Sequence, residues 1–90
     1  MNLEYLREEI DKVDDELLML FVKRMRLVSQ VADYKNQHHI AVKNAEREAA
    51  ILTRIQTNAE ELGDEAAQLF HTLFELSRTY QDKLKQGDKQ

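Results

Sequence analysis

The sequence predicts an all-α fold, a three-helix chain with a long first helix, on three observations. The 90 residues contain no proline and only two glycines, Gly63 and Gly87. Apolar residues recur at the three- and four-residue spacing of a helix face, whereas a half-buried strand would alternate them with polar residues. No Asn-Gly or Asp-Gly pair is present to form a tight β-hairpin turn. We therefore expect a single helical domain over residues 1–90.

Helix 1 is predicted over about residues 3–36, which neither proline nor glycine interrupts. Asn2 is a suitable N-cap, and Glu4 lies in the first turn, where the helix dipole favours negative charge. Such a helix spans about 50 Å at 1.5 Å per residue, whereas a compact chain of this size has a radius of gyration of about 12 Å. The apolar face of helix 1 comprises Leu6, Ile10, Val13, Leu17, Leu20, Phe21, Leu27, Val28 and Val31. The two shorter helices can hardly cover this face, so we expect a second copy of the chain to cover the rest.

Helix 2 and helix 3 complete the predicted fold. Helix 2 runs over about residues 44–58 with Asn44 as its cap, and its apolar face is Ile51, Leu52 and Ile55. Gly63 is predicted to break the chain and Asp64 to cap helix 3, which extends over about residues 64–85. The apolar face of helix 3 comprises Ala66, Leu69, Phe70, Leu73, Phe74, Tyr80 and Leu84.

Composition excludes several classes of function. The net charge of −4 argues against a general nucleic-acid binder. No apolar run approaches the length of a membrane span, and the acidic, amphipathic N-terminus is unlike a signal peptide, so we expect a cytoplasmic protein without a membrane partner. Cysteine is absent, and His38 and His39 have no carboxylate pair at ligand spacing. We expect no metal site and no cofactor.

Two cations interrupt the apolar face of helix 1 and are the most informative feature of the sequence. At about 100° per residue, Arg24 projects in line with Leu6, and Lys35 projects in line with Leu17. An unpaired buried cation costs several kcal/mol or more. A site that contains these two residues should therefore bind an anion.

Further polar side chains lie on or beside the apolar faces of all three helices. The full inward set is Arg7, Arg24, Lys35, Arg47, Glu48, Ser77 and Gln81. Four cations against one carboxylate leave a surplus of about three positive charges, which suits a compact ligand with more than one carboxylate or phosphate. Taken one at a time, these residues have simpler explanations. Arg24 can snorkel or form an interface ion pair, and Glu48 can pair with Arg47 or Lys43.

Beyond these patterns, the sequence resembles the all-helical chorismate mutases over almost its whole length. The resemblance rests on the motif Leu-Arg-x-x-Ile-Asp-x-Val-Asp-x-x-Leu-Leu, which begins at Leu6. It rests equally on Lys23-Arg24, Lys35, Arg47-Glu48 and Ser77-x-x-x-Gln81. The resemblance implies an intertwined homodimeric helical bundle. It also implies the conversion of chorismate to prephenate, on the route to phenylalanine and tyrosine, without a cofactor.

The resemblance implies how the two carboxylates of chorismate are held. The position that matches Arg7 reaches into the active site of the partner. The positions that match Arg24, Lys35 and Arg47 come from the home protomer. Ser77 matches a position beside a carboxylate.

The resemblance also implies contacts to the rest of the substrate. The positions that match Lys35 and Gln81 bracket the ether oxygen. These two residues, together with Arg24, which helps to hold the carboxylates, are the expected catalytic residues. The position that matches Glu48 binds the ring hydroxyl, assisted by backbone near Asn44. Asn44 stands where relatives often have aspartate, and a small effect is expected because that contact is chiefly through backbone.

Two other functions compete with this interpretation. Isochorismate-pyruvate lyase shares the fold and the cationic pocket, but Glu48 and the full-length match favour the mutase. A non-catalytic helical dimerisation or effector-binding module would show no turnover and would tolerate Lys35→Ala. Incubation with chorismate and identification of the product separates the three.

Overall fold

A computed structural model describes the backbone of residues 2–87 and the side chains of residues 2–85. The order of elements is α1 (Leu3–Gln37), α2 (Ala45–Asn58), a 3₁₀ turn (Glu60–Leu62) and α3 (Gly63–Gly87). No strand occurs within residues 2–87, so the predicted all-α, three-helix fold is confirmed. The predicted domain also includes residue 1 and residues 88–90, which lie outside the described part.

α1 begins and ends with well-formed hydrogen bonds. Asn2 is its N-cap, and the Asn2 side-chain oxygen accepts a hydrogen bond from the Tyr5 backbone N–H at 2.8 Å. At the other end, the His38 N–H donates to the Tyr34 carbonyl at 3.1 Å. The chain then turns through His39, whose φ of 55° lies in the left-handed region. This turn directs residues 38–44 back toward α3 and the last turns of α1.

The break between α2 and α3 lies a few residues earlier than predicted. Gly63 is the first residue of α3 and has ordinary right-handed helical angles, φ −57° and ψ −43°. The left-handed conformation falls instead on Glu60, with φ 55°. Asp64 is therefore the second residue of α3 rather than its cap, a position where its negative charge still complements the helix dipole.

α3 packs against both α1 and α2 and is the centre of the single chain. Among residues 2–85 the buried apolar side chains are few: Ile51 of α2 and Phe74 of α3. α1 has no buried residue at all. Such a core is small for a domain whose stability depends on burying apolar surface.

Most of the α1 apolar face is open in the single chain. Ile10 and Leu17 are 57% and 53% exposed, and Val13 between them is equally open. The radius of gyration is 16.4 Å, well above the value of about 12 Å for a compact chain of this length. The first half of α1 therefore extends beyond the packed part of the molecule.

Within residues 2–87, no helix is both long enough and apolar enough to cross a lipid bilayer.

Candidate active site

A cleft of about 260 Å³ lies where the three helices meet, and it contains most of the predicted site. From the predicted set, the cleft is lined by Arg24, Lys35, Asn44, Arg47, Glu48, Ser77 and Gln81. Leu27, Val28, Ile51 and Phe74 supply apolar wall. The arrangement is a mostly apolar cavity with a few convergent polar groups, which is typical of a small-molecule site.

Arg24 is held in place by α3. Its Nη1 donates to the Ser77 hydroxyl oxygen at 2.7 Å. The Ser77 hydroxyl in turn donates its proton to the Leu73 carbonyl at 2.7 Å. Because that proton is committed to Leu73, the oxygen of Ser77 presents a lone pair to Arg24. Ser77 therefore orients the guanidinium without neutralising its charge.

Lys35 is held by the loop between α1 and α2. Its Nζ donates to the Val42 carbonyl at 2.6 Å. A lysine ammonium has three donors, so two remain for a ligand. The loop that follows His39 thus determines where this charge lies.

The start of α2 is fixed by the cap that the sequence predicts. The Asn44 side-chain oxygen accepts from the Arg47 N–H at 3.0 Å, and the Glu48 N–H donates to the Asn44 carbonyl at 3.1 Å. Arg47 and Glu48 therefore occupy the first turn of α2 and face the cleft together. Because its side chain is used as the cap, Asn44 has mainly its backbone to offer a ligand.

Positive charge accumulates in the cleft without compensation. Among the described side chains, no carboxylate lies within ion-pair distance of Arg24, Lys35 or Arg47. Burial lowers the pKa of Arg24 from its usual value, and the nearby charge of Arg47 lowers it further. Both effects act against the charged form, and the attraction of a bound anion would offset them.

Glu48 pairs with a residue that the sequence pattern does not indicate. Its Oε2 accepts a hydrogen bond from Nη1 of Arg78, which also lines the cleft. The alternative in which Glu48 pairs with Arg47 or Lys43 does not match the structure. Arg78 directly follows Ser77 in the sequence. Its spacing does not distinguish it from the exposed charged residues of α3, so the pattern alone does not identify it as a residue of the cleft.

Gln81 presents an unsatisfied amide. It is 6% exposed, and its Oε1 has no hydrogen-bond partner among the described residues. The two ends of a glutamine amide exchange by a half turn about the last side-chain bond, so either can face a ligand. Gln81, Lys35 and Val42 also form the wall between the cleft and a neighbouring cavity of about 340 Å³.

Arg7 is the one predicted residue that does not line the cleft. It lies about 25 Å from Arg24 along α1 at 1.5 Å per residue, too far for its side chain to reach. It is exposed in the single chain.

Elsewhere in residues 2–85, no three metal-ligating side chains come together. The ring of His38 packs against the ring of Tyr34, with ring centroids 4.2 Å apart.

Known proteins share this sequence pattern. The chain is 48% identical over 61 residues to T-protein from Haemophilus influenzae, covering 68% of this chain and 16% of that protein. It is 37% identical over 60 residues to chorismate mutase from Methanocaldococcus jannaschii, covering 67% of this chain and 61% of that protein. It is 34% identical over 54 residues to the bifunctional chorismate mutase/prephenate dehydratase from Aquifex aeolicus, covering 60% of this chain and 15% of that protein.

The aligned region is a small part of the longer relatives. It corresponds to 16% of the Haemophilus protein and 15% of the Aquifex protein. The sequence profile of the family Chorismate mutase type II matches residues 6–82, a range that includes α2, most of α1 and of α3, and every residue of the cleft. This chain therefore belongs to the chorismate mutase type II family.

Proposed function

We propose that this chain catalyses the [3,3]-sigmatropic (Claisen) rearrangement of chorismate to prephenate, in phenylalanine and tyrosine biosynthesis. The observation that carries the proposal is a cleft with three cations, Arg24, Lys35 and Arg47, beside neutral polar groups. None of the three is paired with a carboxylate among the side chains of residues 2–85. Chorismate has two carboxylates, an ether oxygen and a ring hydroxyl. Membership of the family supports the same assignment.

The reaction suits a site without a nucleophile. One carbon–oxygen bond breaks while one carbon–carbon bond forms, and no proton is transferred. Catalysis therefore depends on holding a compact, chair-like conformer in which the two reacting carbons are close. Arg24 and Arg47 bind the carboxylates, and the apolar wall from Val28 and Ile51 excludes water around the ring.

Lys35 and Gln81 stabilise the transition state. Negative charge develops on the ether oxygen as its bond to the ring breaks, so donors aimed there are stronger in the transition state than in the ground state. Lys35 has two donors left after its bond to Val42. Gln81 contributes its amide Nε2, which a half turn of the amide places where the buried, unpartnered Oε1 lies.

Glu48 and the start of α2 recognise the ring hydroxyl. The carboxylate of Glu48 accepts the hydroxyl proton as a hydrogen bond. The backbone at Asn44 assists, since its side chain is used as the helix cap. Replacement of a relative's aspartate by asparagine at this position then has little effect on binding.

Two copies of the chain form the working unit, an intertwined homodimer. The exposed apolar face of α1, with Ile10 and Leu17 more than half open, supports this assembly. Each exposed leucine or isoleucine that becomes fully buried contributes about 1.5–3 kcal/mol. In the dimer, Arg7 of one copy completes the site of the other. The cavity beside Lys35 and Gln81 offers room for a partner side chain.

The first experiment identifies the product. The purified protein is incubated with chorismate, the loss of chorismate absorbance is followed, and the product is identified. Prephenate supports the proposal. Pyruvate would indicate isochorismate-pyruvate lyase-type chemistry, and no turnover would indicate a binding module.

Lys35→Ala tests the catalytic assignment. We expect kcat/KM to fall by about 10²–10³-fold or more, because a donor to the developing charge is lost. Lys83→Ala, the same change at an exposed position of α3, serves as the control. A Lys35→Ala rate close to wild type, with the helical circular dichroism unchanged in both variants, would contradict the assignment.

Hybrid dimers test the origin of Arg7. Arg7→Ala and Lys35→Ala chains are each nearly inactive as homodimers. A hybrid of the two has one site with both defects and one site with none. Refolding an equal mixture should therefore restore about a quarter of wild-type activity, because half of the dimers are hybrids. Activity no greater than the sum of the separate variants would exclude a contribution from the partner.

A further inference from the structure

Arg78 is a cation of the cleft to which the proposed reaction gives no role. Its guanidinium donates to Glu48 Oε2, and this bond joins α3 to α2. The two side chains are 27% and 22% exposed, so solvent screens them only in part. The other ion pair among residues 2–85, Lys12 with Glu9, lies on the surface of α1.

The choice of partner by Glu48 matters because other cations are near. Glu48 shares the cleft with Arg24, Lys35 and Arg47. A bond from Glu48 to any of these would neutralise a charge that the substrate carboxylates or the ether oxygen require. The bond to Arg78 leaves all three available.

Arg78 likewise has acidic neighbours that it does not use. Glu75 and Asp82 lie three residues before it and four residues after it on α3, and both line a shallow depression on its outer side. In the structure the guanidinium turns inward to Glu48 instead. The inward orientation links Arg78 to the site rather than to the surface charge of its own helix.

We propose that Arg78 is a positioning residue that binds Glu48 Oε2 and thereby directs Oε1 to the ring hydroxyl of the substrate. A carboxylate has two oxygens and about four acceptor positions, so the bond to Arg78 leaves Oε1 free to accept the hydroxyl proton. Adjacent residues of α3 then have complementary tasks. Ser77 orients the cation Arg24, and Arg78 orients the anion Glu48. This inference rests on the proposed mutase function.

The experiment compares chorismate with an analogue that lacks the ring hydroxyl. Kinetics are measured for Arg78→Ala, for the conservative variant Arg78→Lys, and for Arg54→Ala, an exposed arginine of α2, as control. We expect Arg78→Ala to lower kcat/KM for chorismate about tenfold or more and to change that for the analogue about twofold or less. Arg78→Lys should recover most of the loss.

A second pair of variants separates positioning from direct binding. In a Glu48→Gln background, Arg78→Ala should have almost no further effect on kcat/KM, because the group through which it acts is already altered. An equal loss for both substrates, or a full additional loss in the Glu48→Gln background, would overturn the proposal. Either result would mean that Arg78 contacts a carboxylate itself or only supports the fold.

Failure of the proposed role of Arg78 can be distinguished from failure of the proposed mutase function. If wild-type protein converts chorismate and Arg78→Ala does so equally well, only the role of Arg78 is wrong. If wild-type protein does not convert chorismate, the proposed function is wrong and the proposed role of Arg78 is overturned with it. In that case, non-additive melting temperatures of Arg78→Ala and Glu48→Gln would still show that the ion pair exists in solution.

Discussion

Hydrogen bonds from individual residues decide which charges of the cleft are available. Ser77 accepts from Arg24 without removing its charge, because its own proton is bound to the Leu73 carbonyl. Val42 holds Lys35 through a neutral carbonyl in the same way. Both cations are thus positioned by neutral acceptors, which leaves their charges for a ligand.

Ser77→Ala tests the positioning of Arg24. The guanidinium loses an accepting oxygen, and a hydrogen bond to a charged group contributes about 1.5–3 kcal/mol. We expect KM for chorismate to rise about tenfold or more, with a smaller change in kcat, measured by steady-state kinetics. Thr72→Ala is the matched control, because Thr72 makes the same hydroxyl-to-carbonyl bond, to Gln68, on the exposed side of α3. Equal effects of the two substitutions would argue against a role for Ser77 in the site.

Gln81→Glu tests the donor at the ether oxygen. Glutamine does not titrate, whereas a glutamate at this place must be protonated to donate a hydrogen bond. We expect kcat/KM of the variant to fall as pH rises toward neutral, since the ionised carboxylate repels the developing negative charge. The measurement is a pH–rate profile of the variant beside that of the wild type. A flat profile for the variant would count against this role of Gln81.

At the scale of elements, α1 combines two structural tasks. The second half of α1 supplies Arg24 and Lys35 to the cleft, whereas its first half presents apolar side chains that the described part of the chain leaves exposed. If α1 ended one or two turns beyond the packed region, it would not carry this additional apolar face. Its length is consistent with a partner that lies along it.

Ile10→Asp tests the exposed face of α1. An aspartate at a buried interface position must be desolvated without a partner, which costs several kcal/mol. We expect the dimer to dissociate in analytical ultracentrifugation and chorismate turnover to be lost with it. Lys12→Asp places the same side chain on the outer side of the helix and removes only an exposed ion pair, so assembly should persist. A fully dimeric Ile10→Asp variant would contradict the proposed interface.

At the scale of the whole molecule, a negative protein contains a positive cleft. The net charge is −4, yet Arg24, Lys35 and Arg47 lie together and form no ion pair with any acidic side chain of residues 2–85. The lowered pKa of Arg24 records the cost of this arrangement. The pKa of Arg24 is lower in the folded state than in the unfolded state. The charged form therefore destabilises the fold at every pH below the folded-state pKa. Arginine stays protonated in proteins, so ordinary changes of pH do not relieve the cost.

Removal of the Arg47 charge should relieve part of the cost of the charged, partly buried Arg24. Arg47→Gln is expected to raise the stability of the unliganded protein by a few tenths of a kcal/mol, because Arg47 is exposed and its repulsion is screened. The variant should also lose most of the rise in melting temperature that a dicarboxylate such as malonate produces in the wild type. Thermal unfolding at constant protein concentration measures both effects. Arg54→Gln on the exposed side of α2 is the control, and the same malonate response in Arg47→Gln as in wild type would contradict the prediction.

Much of the fold followed from local sequence signals. The caps Asn2 and Asn44 mark helix starts because their side chains satisfy backbone donors only a few residues away. Periodicity identified α1 as too long for the rest of the chain to cover. The exception is the α2–α3 junction, where the left-handed turn lies at Glu60 rather than at glycine. Glutamate is not a residue that favours the left-handed region, so residue preference does not predict a turn at that position.

The sequence by itself determined the helices, their faces and the surplus of cations among polar residues directed inward, because each is a property of spacing along one chain. Only the tertiary structure decided how those charges are partnered. Glu48 binds Arg78, thirty residues away, instead of Arg47 or Lys43, and Arg24 binds Ser77, fifty-three residues away. These choices depend on how α3 packs between α1 and α2. That packing brings together side chains whose separation in sequence carries no signal of their contact.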